Sequence, residues 1–323
     1  TRLLPSGGCP TCYCNSRTEC FSVDVNLKDS SASILAGTPD DGSTPKLQTV
    51  RDQANAAIQH GKNVVAAVNG DYYNMATGES LGAVIKGGTE IHGNKSSEPF
   101  FGIKKDGTAI IGDATQYTQV KDELKEAIGG PRILVKNGNP VTYNDSPYPC
   151  EAVGIRANGS VFFLCIDGAQ YPYSDGISLK DLANLLADMG AEQALMLDGG
   201  GSATYVSRTP GDSELTCKNS PSDGWERAVG NSILIVSNSE SDGEFASAYI
   251  TPQDKTYSPK SSVQMEAVGL DSSYSAADLP DDGLTWSLSD PSFGTIDEDG
   301  LLTSNGKTGQ VQVCRPCPKL RGN

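Results

Sequence analysis

Two stretches of this chain carry apolar positions at helical spacing and run straight into a short apolar strand. In "KLQTVRDQANAAIQHGKNVVAAVNGDYYN", Val50, Ala54, Ala57 and Ile58 share one helical face and Gly61 stops the helix. "VVAAV" then predicts a buried strand ending at Asn69-Gly70-Asp71. In "SLKDLANLLADMGAEQALMLDGGGSA", Ser178 caps a helix that turns Leu182, Leu185, Leu186 and Met189 inward, with Asp181 supporting the cap. Gly190 stops it, and "ALML" predicts a strand that ends at Asp198-Gly199. Each unit reads as helix, glycine stop, short strand, then a polar Gly-rich loop.

A second echo joins "FGIKKDGTAIIG" and "VGIRANGSVFFL", two hairpins with Asp-Gly or Asn-Gly turns. Residues 21–238 are therefore expected to form an α/β (α+β) domain with a mixed, largely antiparallel sheet. The echoes further suggest an internal pseudo-duplication, with one loop from each half facing a common site; shared architecture alone would also produce them. After a polar linker at 239–244 the texture changes. "SVQMEAVGLD", "LTWSLSDPSFGTIDEDGLLTS" and "GQVQV" predict short alternating strands with Pro and Gly turns, so residues 245–323 are expected to form a small all-β, immunoglobulin-like sandwich.

Length is consistent with two domains. No apolar run reaches the roughly 18 residues that would span a bilayer, and no signal peptide is read at the start. The formal charge of −15 is spread along the chain and excludes nucleic acid as an expected partner, because phosphate neutralisation needs a basic face. A small phosphorylated ligand needs only a local cluster of donors. Cysteines crowd residues 1–20 (Cys9, Cys12, Cys14, Cys20) and recur at Cys314 and Cys317. The two C-x-x-C pairs can be read as a zinc site or as disulfides and free thiols of loose tails. Cys165, inside "VFFLCIDG", reads as a small buried hydrophobe.

Only two histidines occur, His60 and His92, and neither adjoins a G-x-S-x-G elbow. "GGGSA" lacks the Lys that a nucleotide phosphate loop requires. Carboxylates are thus the expected acid–base or nucleophilic groups. Asp71, Asp167 and Asp198 each follow a buried strand, where partial desolvation tunes a carboxylate. Each could equally cap its own turn. The triple glycine sharpens the choice: Gly199, Gly200 and Gly201 can present bare N–H groups to an anion, and Ser202 and Thr204 can add hydroxyl donors. Tyr72 and Tyr73 offer sugar-stacking faces or core packing. Glu79 lies in a segment too polar for core, and Arg227 can clamp a phosphate or pair with a nearby acid.

Four blocks, "VNGDYYNMATGESLGAVI", "FFGIKKDGTAIIG", "GISLKDLANLLADMGAEQALMLDGGGSATYV" and "ERAVGNSILIV", together resemble the phosphodiester glycosidase family over roughly residues 20–238. The resemblance implies cleavage of a sugar from the phosphate of a phosphodiester. It matches Asn69, Gly70, Tyr73, Glu79, Gly82, Asp167, Asp198, Gly199, Gly200, Gly201, Ser202 and Arg227. The family often carries Arg-Thr before the strand that here reads "AVGIR", where this chain has Cys150-Glu151. The all-β C-terminal part resembles a bacterial immunoglobulin-like repeat, which implies a secreted or cell-surface bacterial protein.

The expected reaction is hydrolysis of a sugar-1-phosphodiester at the anomeric carbon. Asp198 is the first choice as nucleophile or base, with Asp71 or Glu79 as second carboxylate. Asn69, Gly70, Tyr73, Asp167, Gly199–Gly201, Ser202, Thr204 and Arg227 are expected to bind substrate. The residues demand no cofactor, although Asp71 and Asp198 have the oxygens a divalent cation would take, as in a metal-dependent phosphodiesterase. A non-catalytic glycan-binding module of the cell surface is the remaining alternative.

Overall fold

The computed structural model describes residues 18–28, 31–143, 145–252, 257–280, 285–309 and 313–314. Cys9, Cys12, Cys14 and Cys317, with the side chain of Cys314, fall outside this set, and with them the zinc or disulfide expectation for the two ends. Cys150, Cys165 and Cys217 are free thiols. The chain divides into two compact units, Thr1–Ser207 with Leu215–Asn238, and Arg208–Glu214 with Ser239–Asn323.

Among its described residues the larger unit is built from three large sheets and one two-stranded pair. One has six strands in the order Cys20–Val25, Val161–Ile166, Cys150–Arg156, Ala191–Met196, Arg132–Lys136 and Asn139–Pro140. A second runs Leu215–Cys217, Tyr205–Arg208, Val64–Asn69, Ser232–Ser237 and Ala32–Gly37. The third carries Thr89–His92, Val84–Lys86, Leu124–Gly129, Phe100–Lys104 and Ala109–Gly112.

The inner faces of all three sheets share one core, to which Val23, Val68, Phe101, Phe163, Leu195 and Ile233 belong. Each outer face takes one helix. Leu179–Asp188 lays Leu182 and Leu186 over Phe162 and Ile166 of the six-stranded sheet. Val50–Gln59 packs Ala54 and Ala57 on Ala67 and Leu234. Ala114–Val120 sets Tyr117 edge-on to Phe100 at 5.4 Å on the third sheet. Cover on both faces explains why Val64–Asn69 and Val161–Ile166 are buried at every position and read as unbroken apolar runs instead of alternating ones.

The caps follow the sequence reading. Ser178 accepts the amide of Asp181, and Thr49, unforeseen, accepts that of Asp52. The balance of elements does not follow it: among the described residues the fold is mostly β, with three α-helices of ten, seven and ten residues. Neighbours of both strands that approach the site run antiparallel, so the expected mixture is absent there. A parallel pair needs a helix that returns the chain to the same sheet. Here the short strand before the first helix, Gln48–Thr49, pairs apart with Ala228–Val229. The two echoing units lie in different sheets, so a duplication is not established. What they share is where they end.

The smaller unit is all-β among its described residues apart from a single 3-10 turn at Pro291–Phe293. Ser247–Thr251 pairs with Glu266–Leu270, Leu301–Ser304 lies between Ser262–Gln264 and Gly294–Ile296, and Ser287–Leu288 pairs with Val313–Cys314. These pairs do not establish the immunoglobulin-like sandwich. The physical reason is a thin core: among the described residues only Pro210, Met265 and Leu270 are buried apolar side chains here. Ser241, in the stretch expected as a linker, donates to Asp271 at 2.6 Å.

Candidate functional site

The site forms where two buried strands from different sheets stop side by side. The amide of Asp198 donates to the carbonyl of Gly70 at 2.8 Å. Asn69 fastens the junction from both directions: Nδ2 donates to the Asp198 carbonyl at 2.7 Å and Oδ1 accepts the Thr204 amide at 2.9 Å. A third strand contributes Asn231, which precedes Ser232–Ser237. Its Oδ1 accepts the Asp71 amide at 2.6 Å and its Nδ2 donates to Ser80 Oγ at 2.7 Å. Both asparagines are buried, and each supplies a donor and an acceptor that a water molecule would otherwise have to provide.

Asp71 and Asp198 are thereby brought within electrostatic reach of one another. Asp71 is 1% exposed and Asp198 8%, so Asp198 is the one that opens toward solvent. Burial pushes the carboxyl of Asp71 up to about 7, against the opposing amide of Gly82, which donates to Oδ2 at 2.6 Å. Glu98 and Asp198 add like charge that raises it further. Its Oδ1 is buried and has no hydrogen-bond partner. Burial also pushes Asp198 up, to about 6, opposed by the Ser202 hydroxyl, the Gly199 amide at 2.9 Å and the positive charge of Arg227. One carboxyl is therefore poised to hold a proton at a pH where its neighbour has lost its own.

Asp71 needs its two flanking glycines. A Cβ on Gly82 or on Gly129 would press against Asp71 Oδ2, at 2.7 and 2.5 Å. The triple glycine has a different use at each position. Gly199 lies against the Pro149 carbonyl, Gly200 has φ +61° with open space around it, and Gly201 faces the Arg227–Asp223 ion pair. The expected anion nest is largely used up by the protein itself. The Gly199 amide serves Asp198, that of Gly200 donates to Pro149 at 2.9 Å, and that of Ser202 to Gly199 at 3.2 Å. Arg227 holds Asp223 bidentately (2.7 and 2.9 Å) and keeps Nη1 toward Ser202 Oγ at 3.4 Å. The alternative of pairing with an acid is realised, with one donor left facing the glycine turn.

The remaining expected residues divide by position. Tyr73 is buried, donates to the Ala228 carbonyl at 3.1 Å and lies in the field of Asp198 and Arg227. Tyr72 is half-buried; burial and then the charge of Asp198 raise its hydroxyl. Thr204 is fully buried and its Oγ1 has no partner. Glu79 stands on the exposed rim, held by Lys95 at 2.9 Å and His92 at 3.5 Å. Asp167 spends both oxygens inside the protein, on Asn219 Nδ2 (2.9 Å), the Ser220 amide (2.8 Å) and the Tyr173 hydroxyl (3.0 Å). It fixes loops beside the site.

Sequence reasoning missed Asn231, Asp223, Glu98 and Arg132. Glu98, not Glu79, is the third carboxyl near Asp71: its Cβ lies over Gly82, and its charge is felt by Asp71. Arg132 acts on both Glu98 and Tyr72 and stands over the Tyr143 ring at 5.2 Å. Cys150 and Glu151 are fully buried, the latter with neither carboxyl oxygen partnered, so neither presents a group to a substrate. Among the described residues no group of three or more His, Cys, Asp or Glu side chains is placed to hold a metal ion.

Residues 62–236 match a family model described as phosphodiester glycosidase. The bovine (Bos taurus) N-acetylglucosamine-1-phosphodiester alpha-N-acetylglucosaminidase is 27% identical over 194 residues, 53% of this chain and 35% of that protein. An uncharacterized SPbeta prophage-derived protein of Bacillus subtilis (strain 168), YomE, is 30% identical over 182 residues, 54% of this chain and 24% of the relative. The chain thus spans little more than a third of the first relative's length and about a quarter of the second's. The solved catalytic domain of the zebrafish N-acetylglucosamine-1-phosphodiester alpha-N-acetylglucosaminidase, auto-inhibited by its pro-peptide, has the same fold. It aligns at a TM-score of 0.51 and 23% identity, over 72% of this chain and 88% of that one. The family match takes in more than half of the chain, with both carboxylates, both asparagines, the glycine turn and Arg227 inside it, and the chain belongs to the phosphodiester glycosidase family.

Proposed function

We propose that this chain hydrolyses a sugar-1-phosphodiester at the anomeric carbon, releasing free sugar and a phosphomonoester. The observation that carries the proposal is the pair of buried carboxyls at the joined strand ends, Asp198 at about 6 and Asp71 at about 7. Between those values Asp198 is ionised while Asp71 keeps its proton. Asp198, the more open of the two, acts at the anomeric carbon as nucleophile or as base on water. The bond from that carbon to the bridging oxygen breaks, and its electron pair leaves with the phosphate. The proton that assists the departing phosphate comes from Asp71 Oδ1, a buried oxygen without a hydrogen-bond partner. Nη1 of Arg227, the Ser202 hydroxyl and Arg132 supply the local positive and hydrogen-bonding field for the anion. The names of the mammalian relatives make N-acetylglucosamine the first sugar to try. A secreted or cell-surface bacterial setting fits a glycan substrate and is part of the same proposal.

The test is a panel of α-linked sugar-1-phosphodiesters, with free sugar and phosphomonoester measured together. Release of both in equal amounts, with aryl glycosides of the same sugar much slower, is the expected result. Equal rates on the two classes would remove phosphate recognition from the reading, and release of an alcohol with a sugar phosphate would move the scissile bond to the other side of the phosphorus.

A further inference from the structure

The charged groups around the carboxyl pair fall into two sets. Arg227 and Asp223 hold each other at 2.7 and 2.9 Å, and both oxygens of Asp167 are taken by Asn219, Ser220 and Tyr173. Arg132 and Glu98 differ. Among the described residues, neither the Arg132 guanidinium nor the Glu98 carboxylate makes a hydrogen bond or an ion pair. Both are nevertheless held in place. Arg132 opens the strand Arg132–Lys136 opposite Met196, on the strand that ends at Asp198, and its guanidinium lies over the Tyr143 ring at 5.2 Å. That ring is tied down in turn, its hydroxyl donating to the Ile133 carbonyl at 2.9 Å. Stacking on an aromatic face restrains a guanidinium while leaving its in-plane N–H donors free for an oxyanion. Glu98 is gripped through its main chain by Asn94, whose Nδ2 donates to the Glu98 carbonyl at 2.6 Å and whose Oδ1 accepts the Glu98 amide at 2.9 Å. The Gly130 amide donates to the Pro99 carbonyl at 3.0 Å, which joins the two segments. A Cβ on Gly82 would meet Asp71 Oδ2 at 2.7 Å and Glu98 Cβ at 3.4 Å, so Glu98 and Asp71 pack on the same bare backbone. Burial apart, the Tyr72 hydroxyl feels Asp198, Cys150, Arg132 and Asp71, which puts Arg132 within electrostatic reach of the same ring as the carboxyl pair.

Resting on the proposed function, we propose that Arg132 and Glu98 together read the charge of the phosphate: Arg132 contacts it bidentately, and Glu98 admits one negative charge and rejects a second. A general acid stands on the side of the leaving group. Glu98 packs beside Asp71, the acid, and Arg132 acts on Glu98, whereas Arg227 reaches Asp198 by way of Ser202 and the glycine turn. The departing phosphate therefore falls to Arg132, and Arg227, already paired with Asp223, favours the ionised form of Asp198. A phosphodiester carries one negative charge, which a single unpaired guanidinium balances. A phosphomonoester carries nearly two at neutral pH, and the second meets the Glu98 carboxylate. The same repulsion acts on the phosphomonoester product and favours its release. Glu98 is thus a specificity-determining residue, and Arg132 a phosphate-binding one.

Binding tests this without turnover. The whole protein is titrated calorimetrically with two C-glycosidic phosphonates of N-acetylglucosamine, in which carbon replaces the bridging oxygen. One is the monomethyl ester, with a single negative charge; the other is the free phosphonate, at a pH where it carries two. The wild type is expected to bind the ester about 10-fold or more tightly than the free phosphonate. Arg132→Gln should weaken the ester about 10-fold or more, and Arg132→Lys should recover only part of the loss. Glu98→Gln keeps the shape and removes the charge, and should shrink the preference for the ester about 10-fold. A merely structural role for either residue would lower Tm and leave that preference in place. An unchanged preference in Glu98→Gln, an Arg132→Gln protein that binds the ester as the wild type does, or a wild type that binds neither phosphonate overturns the inference. Turnover of N-acetylglucosamine 1-(methyl phosphate) and of N-acetylglucosamine 1-phosphate is measured alongside. Hydrolysis of both with equal kcat/KM removes the charge filter and leaves the hydrolase. The expected binding pattern with no hydrolysis of either removes the hydrolase and leaves the pair.

Discussion

Asn231 and Asp71, 160 positions apart in sequence, are joined by a 2.6 Å hydrogen bond in which the Asp71 amide donates to the asparagine side chain. The same asparagine reaches Ser80 with its Nδ2, so it holds the start and the return of the loop that carries Asp71. Asn231→Ala would orphan a buried amide and a buried hydroxyl. Loss of about 2–4 kcal/mol of stability is expected, read as a denaturant midpoint shift, with activity falling as well. Asn231→Asp is the sharper test. It keeps the acceptor for the amide but adds a carboxyl beside Asp71, so the alkaline limb of the pH–rate profile should move up. A limb that stays in place would mean that Asp71 does not set it.

The carboxyl pair fixes the shape of that profile. On the proposed mechanism the reactive form has Asp198 ionised and Asp71 protonated, so kcat/KM should rise through about 6 and fall through about 7, giving a narrow bell. Asp198→Asn keeps the size and most of the hydrogen bonding, and should lower turnover by about two to four orders of magnitude while the fold survives. Asp71→Asn should instead flatten the alkaline limb. A fully active Asp198→Asn enzyme would transfer the role of reacting carboxylate elsewhere.

Much of this site was legible in the sequence because local signals and strand ends coincide. Asp71 and Asp198 each follow an apolar run, and a buried strand must end in a loop at the sheet edge. The glycine turn announced itself by composition. Asn231 and Asp223 gave no such sign: their importance comes from hydrogen bonds to residues 160 and 4 positions away, and an isolated Asn before a strand has no pattern that marks it. Glu79 and Glu98 show the same limit. Both lie in polar segments, and only the fold of the loop decides that Glu98 approaches Asp71 while Glu79 pairs with Lys95 at the surface. The largely antiparallel pairing was legible from the two hairpins; the mixture expected with it is absent beside the site, because a helix followed by a strand is only the local signature of a parallel crossover. Which sheet receives each strand is a long-range choice.

Glu151 offers a stability test that is independent of catalysis. It is fully buried, unpartnered at both oxygens, and held well above the usual carboxylate range by burial, with the charge of Asp167 adding to the effect. The folded protein therefore binds a proton that the unfolded chain releases near pH 4.3. Stability from this group is complete below that pH and is lost steadily as the pH rises toward the folded value, by about 1.4 kcal/mol per pH unit. Glu151→Gln removes the titration but keeps the shape. Its Tm relative to wild type should climb as the pH is raised from 5 to 8. A difference in Tm that does not change with pH would show that the buried acid is not protonated in the folded state.

The three glycines at 199–201 make separable forecasts. Gly200 has φ +61° and nothing within 4 Å of where a Cβ would stand. Gly200→Ala should therefore cost only the backbone strain of a left-handed alanine, about 1 kcal/mol, with the ion pair beside it intact. Gly201 is different. A methyl group there would collide with Nη2 of Arg227 and Oδ1 of Asp223, atoms that form a bidentate pair and cannot both step aside without breaking it. Gly201→Ala should displace the guanidinium from Ser202 and cut kcat/KM for a phosphodiester by at least about 10-fold, while Gly200→Ala stays within a few-fold of wild type. Gly199→Ala should disturb a third feature, because its Cβ would press on the Pro149 carbonyl that receives the Gly200 amide, and should cost folding stability first. Thermal melts and steady-state kinetics on the three variants distinguish these outcomes. If Gly200→Ala were as damaging to kcat/KM as Gly201→Ala, with its melt unchanged, the open space at Gly200 would be where the substrate lies, and the glycine run would serve the ligand more than it serves the ion pair.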